Sequence, residues 1–158
     1  TDIYVRRYFT LRLAEEKARL ERYGGRLALA LVDLDKFKEI NDTFGHQWGD
    51  TALKKAAQAM VKVCRRNLDV VCRFGGDEFV IIMPETDRRG AMETAERMRA
   101  RIESLEMDHP KDSIQVTASI GLAIWEAEAG EETPDLLAQA DEALYRAKNS
   151  GRNRVELA

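Results

Sequence analysis

Three observations predict an α/β fold of the α+β kind, with a mixed, mainly antiparallel central sheet surrounded by helices. Apolar runs of strand length end in acids or glycines, as in Leu29-Ala30-Leu31-Val32-Asp33 and in Phe79-Val80-Ile81-Ile82 after Gly75-Gly76. Between them, apolar residues recur at helical spacing in Ala52, Ala56, Met60 and Val63, and again in Ala91, Ala95, Met98, Ile102 and Leu105. The resulting order, β-α-α-β-β-α-β-α-β, contains a βαββαβ core, the arrangement of a sheet with helices packed on it.

Taken along the chain, a first helix is expected over Tyr4 to Arg22, with Phe9, Leu13, Ala14, Ala18 and Leu20 on one side and Gly24-Gly25 as its stop. The first strand runs from Leu27 to Asp33. A short helix follows Asp35, and a longer one extends from about Gly49 to Arg65. Two strands then meet at Gly75-Gly76, because both glycines accept the positive φ that a two-residue hairpin demands. After the Ala91 to Leu105 helix, a fourth strand is expected near Ile114 to Trp125. Thr133-Pro134-Asp135 opens the next helix, with a capping hydroxyl and a proline in its first turn. Its buried face is Leu136, Ala140, Leu144 and Ala147; Gly151 ends it, and a short strand closes the fold. The acidic stretch from Glu126 to Glu132 reads as a solvated loop, and Trp48 and Trp125 read as packing residues.

A chain of 158 residues fits one domain, here 1–158, around one core. Its 44% apolar and 34% charged residues are those of a globular protein, with no stretch apolar enough to span a bilayer. A net charge of −3 lacks the basic footprint of a nucleic-acid binder and favours a small nucleotide as ligand. Cys64 and Cys72 are too few for a disulfide framework and have no zinc spacing, which places the chain in a reducing cytoplasm, with Cys72 a buried thiol. Starting at Thr1 rather than methionine, it reads as a domain excised from a longer protein, even a membrane-anchored one.

The chemistry concentrates at two strand ends. Asp77 and Glu78 follow a turn without side chains, where a bulky ligand can lie against backbone and hard oxygens can hold Mg²⁺ on its phosphates. Asp33 arrives at the sheet edge on a separate strand. Two strands that each deliver carboxylate are what a two-metal phosphoryl-transfer site requires. Asp77 ranks ahead of Glu78, since neighbouring strand residues face opposite ways and only a twisted tip lets both reach one pocket.

Several segments together carry a resemblance to a known family. They are Asp33-Leu34-Asp35-Lys36-Phe37-Lys38, Asn41-Asp42-Thr43-Phe44-Gly45-His46 with Gly49-Asp50, and Arg73-Phe74-Gly75-Gly76-Asp77-Glu78-Phe79. Ser119-Ile120-Gly121, Ala140-Asp141 and Lys148-Asn149-Ser150-Gly151-Arg152-Asn153 complete the set. In this order they resemble the GGDEF domain, the catalytic module of bacterial diguanylate cyclases, over nearly the whole chain. The resemblance implies a nucleotide-cyclase-like, palm-type sheet that binds GTP with two Mg²⁺ (Mn²⁺ as an alternative). Asp33, the Leu34 carbonyl, Asp77 and Glu78 would be the metal ligands, and either acid of the turn the catalytic base. Backbone N–H groups of Lys36, Phe37 and Lys38, the glycines Gly75 and Gly76, and the cations Lys148 and Arg152 would hold phosphates. Asn41 and Asp50 would read guanine; an aspartate at 50 argues against relatives that accept adenine.

The same resemblance implies that two domains meet as a homodimer about a two-fold axis, each with one GTP, to make cyclic di-GMP and pyrophosphate. Arg66-Asn67-Leu68-Asp69 matches the family's product-inhibition motif, with Arg97 as a third candidate or an ordinary solvated arginine. The rival reading is a catalytically silent receptor for GTP or cyclic di-GMP. No contact with nucleic acid or membrane is expected of this domain; an N-terminal sensory or regulatory domain is. His46 reads as a loop-shaping residue rather than a base. Thr1 to Phe9 departs from the family entry sequence at Asp2 and Val5.

Overall fold

The structure is a computed structural model that describes residues 4–158. Strand β1 (Tyr4–Val5) leads into helix α1 (Arg6–Tyr23), and β2 (Gly25–Leu34) is followed by α2 (Phe37–Phe44) and α3 (His46–Val63). The hairpin β3 (Val70–Gly75) and β4 (Glu78–Pro84) leads to α4 (Arg88–Glu103). A small hairpin of β5 (Met107–His109) and β6 (Asp112–Ile114) precedes β7 (Ala118–Ala127), α5 (Leu136–Asn149) and β8 (Val155–Leu157).

Six strands form one sheet in the order β1-β3-β4-β2-β7-β8. The four central strands are antiparallel, while β1 on β3 and β8 on β7 are parallel edges. The expected mixed, mainly antiparallel sheet and its βαββαβ core (β2, α2–α3, β3, β4, α4, β7) are present. Strand alternation divides the interior in two. Ala28, Ala30, Val32 and Leu34 face a core shared with α2, α3 and α4, whereas Leu27, Leu29 and Leu31 face one built with α1 and α5. Asp33 belongs by the same alternation to the α1–α5 face.

Several boundaries differ from the sequence reading. The first two described residues pair with Cys72 and Arg73, so α1 starts at Arg6. Val5 therefore lies in an edge strand, while Asp2 falls outside the described residues. Helix α3 begins at His46, because Gly45 at φ 93° allows the sharp exit from α2 that a residue with a side chain resists. The strand expected near Ile114 to Trp125 is broken. Residues 112–114 pair with 107–109 in a separate hairpin, whose His109 ring lies 5.1 Å from both Phe44 and Trp48. The cap of α5 is Asp135, whose Oδ1 accepts from Ala138 N–H at 3.0 Å. Thr133 donates its hydroxyl to Glu21 at 2.5 Å instead, leaving Pro134 before the cap. Cys72 is buried and Trp125 nearly so, as expected.

Gly121, in the middle of β7, lets α5 settle on the sheet. A β-carbon there would collide with the Ala140 carbonyl oxygen and the Leu144 backbone nitrogen. Because both obstacles are helix backbone, neither can rotate away. Gly121→Ala is expected to lower unfolding free energy by about 3 kcal/mol, as overpacking of a closed interior does; urea denaturation measures it, and a loss below about 0.5 kcal/mol would contradict the close approach.

Candidate active site

The site is assembled where β2 ends beside the β3–β4 hairpin. The register aligns Asp33 with Glu78 across the two strands, and Leu34 N–H reaches the Asp77 carbonyl at 3.2 Å. The hairpin is one residue off the sequence expectation. Gly75 pairs with Glu78, so the turn residues are Gly76, at φ 50°, and Asp77. A bulge between Arg73 and Gly75 consumes Phe74 and produces this shift. It frees Asp77 from strand alternation, so Asp77 and Glu78 stand on the same corner as Asp33. A β-carbon on Gly75 or Gly76 would project into open space, which leaves the turn's backbone bare.

Two residues with no assigned part in the sequence reading hold this turn. Arg73 Nη2 donates to the Gly76 carbonyl at 2.8 Å, and the Arg6 guanidinium lies 4.2 Å over the Phe74 ring, which also meets Phe9 edge-on at 5.4 Å. The position of Arg73, directly before the aromatic and the glycines, was the available signal.

Lys148, from the last turn of α5, is ion-paired with Asp33 Oδ2. Burial pushes the Asp33 carboxyl up to about 7; Lys148 opposes the rise, while the neighbouring Asp77 carboxylate adds to it. For the Lys148 ammonium, burial acts downward, yet the hydrogen bond and charge of Asp33 and the charges of Glu78 and Asp77 raise its pKa overall. Both shifts have one origin: one ammonium faces three carboxylates, and the corner carries surplus negative charge. Asp33 Oδ1 is buried with no hydrogen-bond partner. Such an orphaned acceptor fits a cation. Among the described residues no three side chains converge into a metal cage of their own.

Asp35 is the other functional residue absent from the sequence expectations. Its carboxylate accepts from the Ser119 hydroxyl at 2.6 Å, the Thr117 hydroxyl at 2.8 Å and the Asn153 N–H at 3.0 Å. It thereby joins the start of α2 to the segment after α5. Lys36, left-handed at φ 53°, caps α2, so the N–H groups of Phe37 and Lys38 open outward without intrahelical acceptors. Lys36 and Arg152 line one cavity of about 420 Å³ together with Thr43, Gln115 and Thr117. At the α2–α3 corner Asn41 lies against Gly49, the residue before Asp50. A side chain at Gly49 would collide with the Asn41 amide oxygen, so glycine leaves room for that amide.

The Arg66–Asp69 pairing does not form. Asp69 is held by Arg65, with Nη2 to Oδ1 at 2.7 Å and Asp69 Oδ2 accepting from Arg65 N–H at 2.7 Å. Arg65 also binds the Pro84 carbonyl and the Thr86 hydroxyl, both at 2.6 Å, which fixes it to the end of β4. Arg66 and Arg97 are exposed. His46 is exposed at the start of α3, away from the carboxylates.

Comparison with known proteins follows this geometry. The family model described as "Diguanylate cyclase, GGDEF domain" matches residues 1–154. Diguanylate cyclase DosC of Escherichia coli K12 is 42% identical over 158 residues, covering 99% of this chain and 34% of that protein. Response regulator PleD of Caulobacter vibrioides is 42% identical over 159 residues, covering 98% and 34% respectively. The solved GGDEF domain of DgcB from Caulobacter crescentus, in complex with c-di-GMP, superposes with a TM-score of 0.90 at 32% identity, over 99% of this chain and 92% of that one. The chain thus spans about a third of the curated relatives' length.

The raised Asp33 pKa sets a pH dependence. A carboxyl whose folded pKa exceeds its ordinary 3.8 stabilises the fold most below that value and loses the contribution as pH rises to about 7. In metal-free buffer, Asp33→Asn should therefore gain stability relative to the parent across that window. Denaturant titrations at both ends test it; a stability difference independent of pH would contradict the surplus of negative charge.

Proposed function

The chain belongs to the GGDEF domain family, and on that premise we propose that it is one half-site of a diguanylate cyclase, which joins two GTP molecules into cyclic di-GMP with release of pyrophosphate. The observation that carries this reading is the Lys148–Asp33 ion pair, set across the strand register from Glu78 and beside a glycine turn whose backbone stands open.

In this reading the triphosphate lies along the hairpin and over the start of α2. The N–H groups of Phe37 and Lys38 and the side chains of Lys148 and Arg152 face its terminal phosphates, the arrangement favoured at a helix N-terminus. Lys148 exchanges a carboxylate partner for phosphate and so keeps its charge paired throughout. Asp50 accepts from guanine N1–H and its amino group, and Asn41, lying against Gly49, serves the remaining edge. Asp33, the Leu34 carbonyl, Asp77 and Glu78 would hold two Mg²⁺ or Mn²⁺ ions, whose chemistry is to activate the attacking 3′-hydroxyl and offset charge on the α-phosphate. The proton of that hydroxyl passes to Asp77 or Glu78. Each domain holds one GTP, so a second copy must face it about a two-fold axis.

The sequence keeps Asp33, Gly75, Gly76, Asp77, Glu78, Lys148 and Arg152 intact, which favours an active enzyme over a silent receptor. We place it in the cytoplasm, under the control of a sensory domain elsewhere in its protein; among the described residues no helix is long and apolar enough to cross a membrane. Cyclic di-GMP would act back at Arg66 and Asp69. With Asp69 already held by Arg65, product binding would have to share or break that pair, and exposed Arg66 would supply the first contact.

Incubation with GTP and Mg²⁺ followed by mass analysis tests the activity. Asp77→Ala is expected to lower the rate at least about a hundredfold with circular dichroism unchanged; near-normal synthesis by the folded variant would sink the assignment. Arg66→Ala should keep basal synthesis and lose inhibition by added product. Undiminished inhibition in that variant would move the product site elsewhere.

A further inference from the structure

Arg152 lies in an unusual backbone. Gly151, Arg152 and Asn153 all have positive φ, at 116°, 63° and 45°. Glycine accepts this freely and asparagine tolerates it, but for arginine the left-handed region costs about 1–2 kcal/mol. Such strain persists only where the surroundings impose it. Here Arg152 N–H donates to the Ala147 carbonyl at 3.0 Å, and Asn153 N–H donates to Asp35 at 3.0 Å.

The side chain of Asn153 is held as firmly as its backbone, and from a helix that the proposed chemistry does not use. Arg99 Nη1 on α4 donates to Asn153 Oδ1 at 2.9 Å, while Asn153 Nδ2 donates to Glu103 Oε2 at 2.5 Å. Arg99 Nη1 also reaches Glu103 Oε2 at 2.6 Å, which closes a triangle. Both ends of the amide are engaged, so its orientation is single-valued. Hydrogen bonds from Asn153 and Arg99 hold the Glu103 carboxyl below its usual range. Ordinary ion pairs on an exposed helix contribute little. These two residues instead reach across to the segment that carries Arg152.

We propose that Arg99 and Glu103 are positioning residues that act through Asn153 to aim Arg152 at the substrate's terminal phosphates. The proposal rests on the reading above, in which Arg152 contacts phosphate. It makes affinity for a triphosphate, but not for guanosine monophosphate, depend on a triangle on α4.

Calorimetry with α,β-methylene GTP and with guanosine monophosphate, in Mg²⁺, tests it on the 158-residue chain. Asn153→Gly keeps the left-handed backbone and removes the amide. Its triphosphate affinity should fall about tenfold, the weight of one charge-assisted hydrogen bond, and its monophosphate affinity by less than about twofold. In turnover the loss should appear in KM, with kcat kept within about twofold. Glu103→Ala should reproduce the effect, Glu103→Gln should restore parental binding, and Glu103→Ala with Asn153→Gly together should be no worse than either alone. If Asn153→Gly fails to fold, the two Glu103 variants decide the matter. Equal losses for both nucleotides, an unchanged triphosphate affinity, or no restoration by glutamine would overturn the proposal. Arg152→Ala separates it from its premise. If that variant binds triphosphate normally, the phosphate role of Arg152 fails and the proposal with it; if it binds weakly while the clamp variants do not, only the clamp falls.

Discussion

The carboxylate of Asp35 is the interaction on which the arrangement of the site depends. It is buried, and it takes two hydroxyl donors from the start of β7 and one N–H from the segment after α5. Those three elements are far apart in sequence, and each leads directly to a side chain of the site. Lys36 follows Asp35 itself, Arg152 precedes Asn153, and Ser119 lies opposite Asp33 in the β2–β7 register. A buried ionised group is tolerable only when its lone pairs are occupied. Here that necessity doubles as a geometric constraint, since the donors that satisfy Asp35 also place two cations on one cavity wall. Asp33, two residues earlier, is its opposite: one oxygen is paired and the other left without a donor. The protein satisfies every oxygen of one carboxylate and only one oxygen of the other.

Much of this was legible in the sequence. Apolar periodicity gave the helices α1, α3, α4 and α5 and the buried strand β2; on α1, however, the expected Ala14 and Ala18 are exposed and Glu16, paired with Arg12 and Arg19, is buried in their stead. The acids of the candidate site were legible because Asp33 ends one apolar run and Asp77 and Glu78 stand between a glycine pair and the next. What escaped had non-local causes. The two-residue strand β1 pairs with β3, and the β5–β6 hairpin is anchored by Met107 and Ile114 in the core and by His109 against Phe44 and Trp48, contacts that local sequence does not reveal. The one-residue shift at the hairpin tip comes from a bulge that no spacing rule reveals. Nothing local gives Asp35 its role, because its hydroxyl donors lie more than eighty residues away in the chain. The match of Arg66-Asn67-Leu68-Asp69 to a product-inhibition motif gave no sign of Arg65, yet the chain turns at Asn67, left-handed at φ 62°, and Asp69 pairs with Arg65.

The electrostatics of the corner follow from the same economy of placement. Strand alternation sends Asp33 to the α1–α5 face, and α5 is the helix that ends there with Lys148. Cations near a helix C-terminus are favoured by the helix dipole, so the lysine suits its own helix as well as the carboxylates it faces. A lone ammonium nonetheless cannot balance three acids. The imbalance is tolerated because the turn of Gly76 and Asp77 is open to solvent, which screens what the protein does not neutralise.

The contact of Gly121 with α5 has a consequence for how this domain can vary. Leu144, which touches that glycine, stands one turn before Lys148, about 6 Å along the helix. The smallest residue of the sheet therefore sets the standoff of the cation that meets Asp33. A methyl group at 121 that lifted the helix by an ångström would withdraw the ammonium from its carboxylate with no change at the site itself. Replacements at this buried position would then look like loss of function in any assay of turnover, although their origin lies in the separation of a helix from a strand.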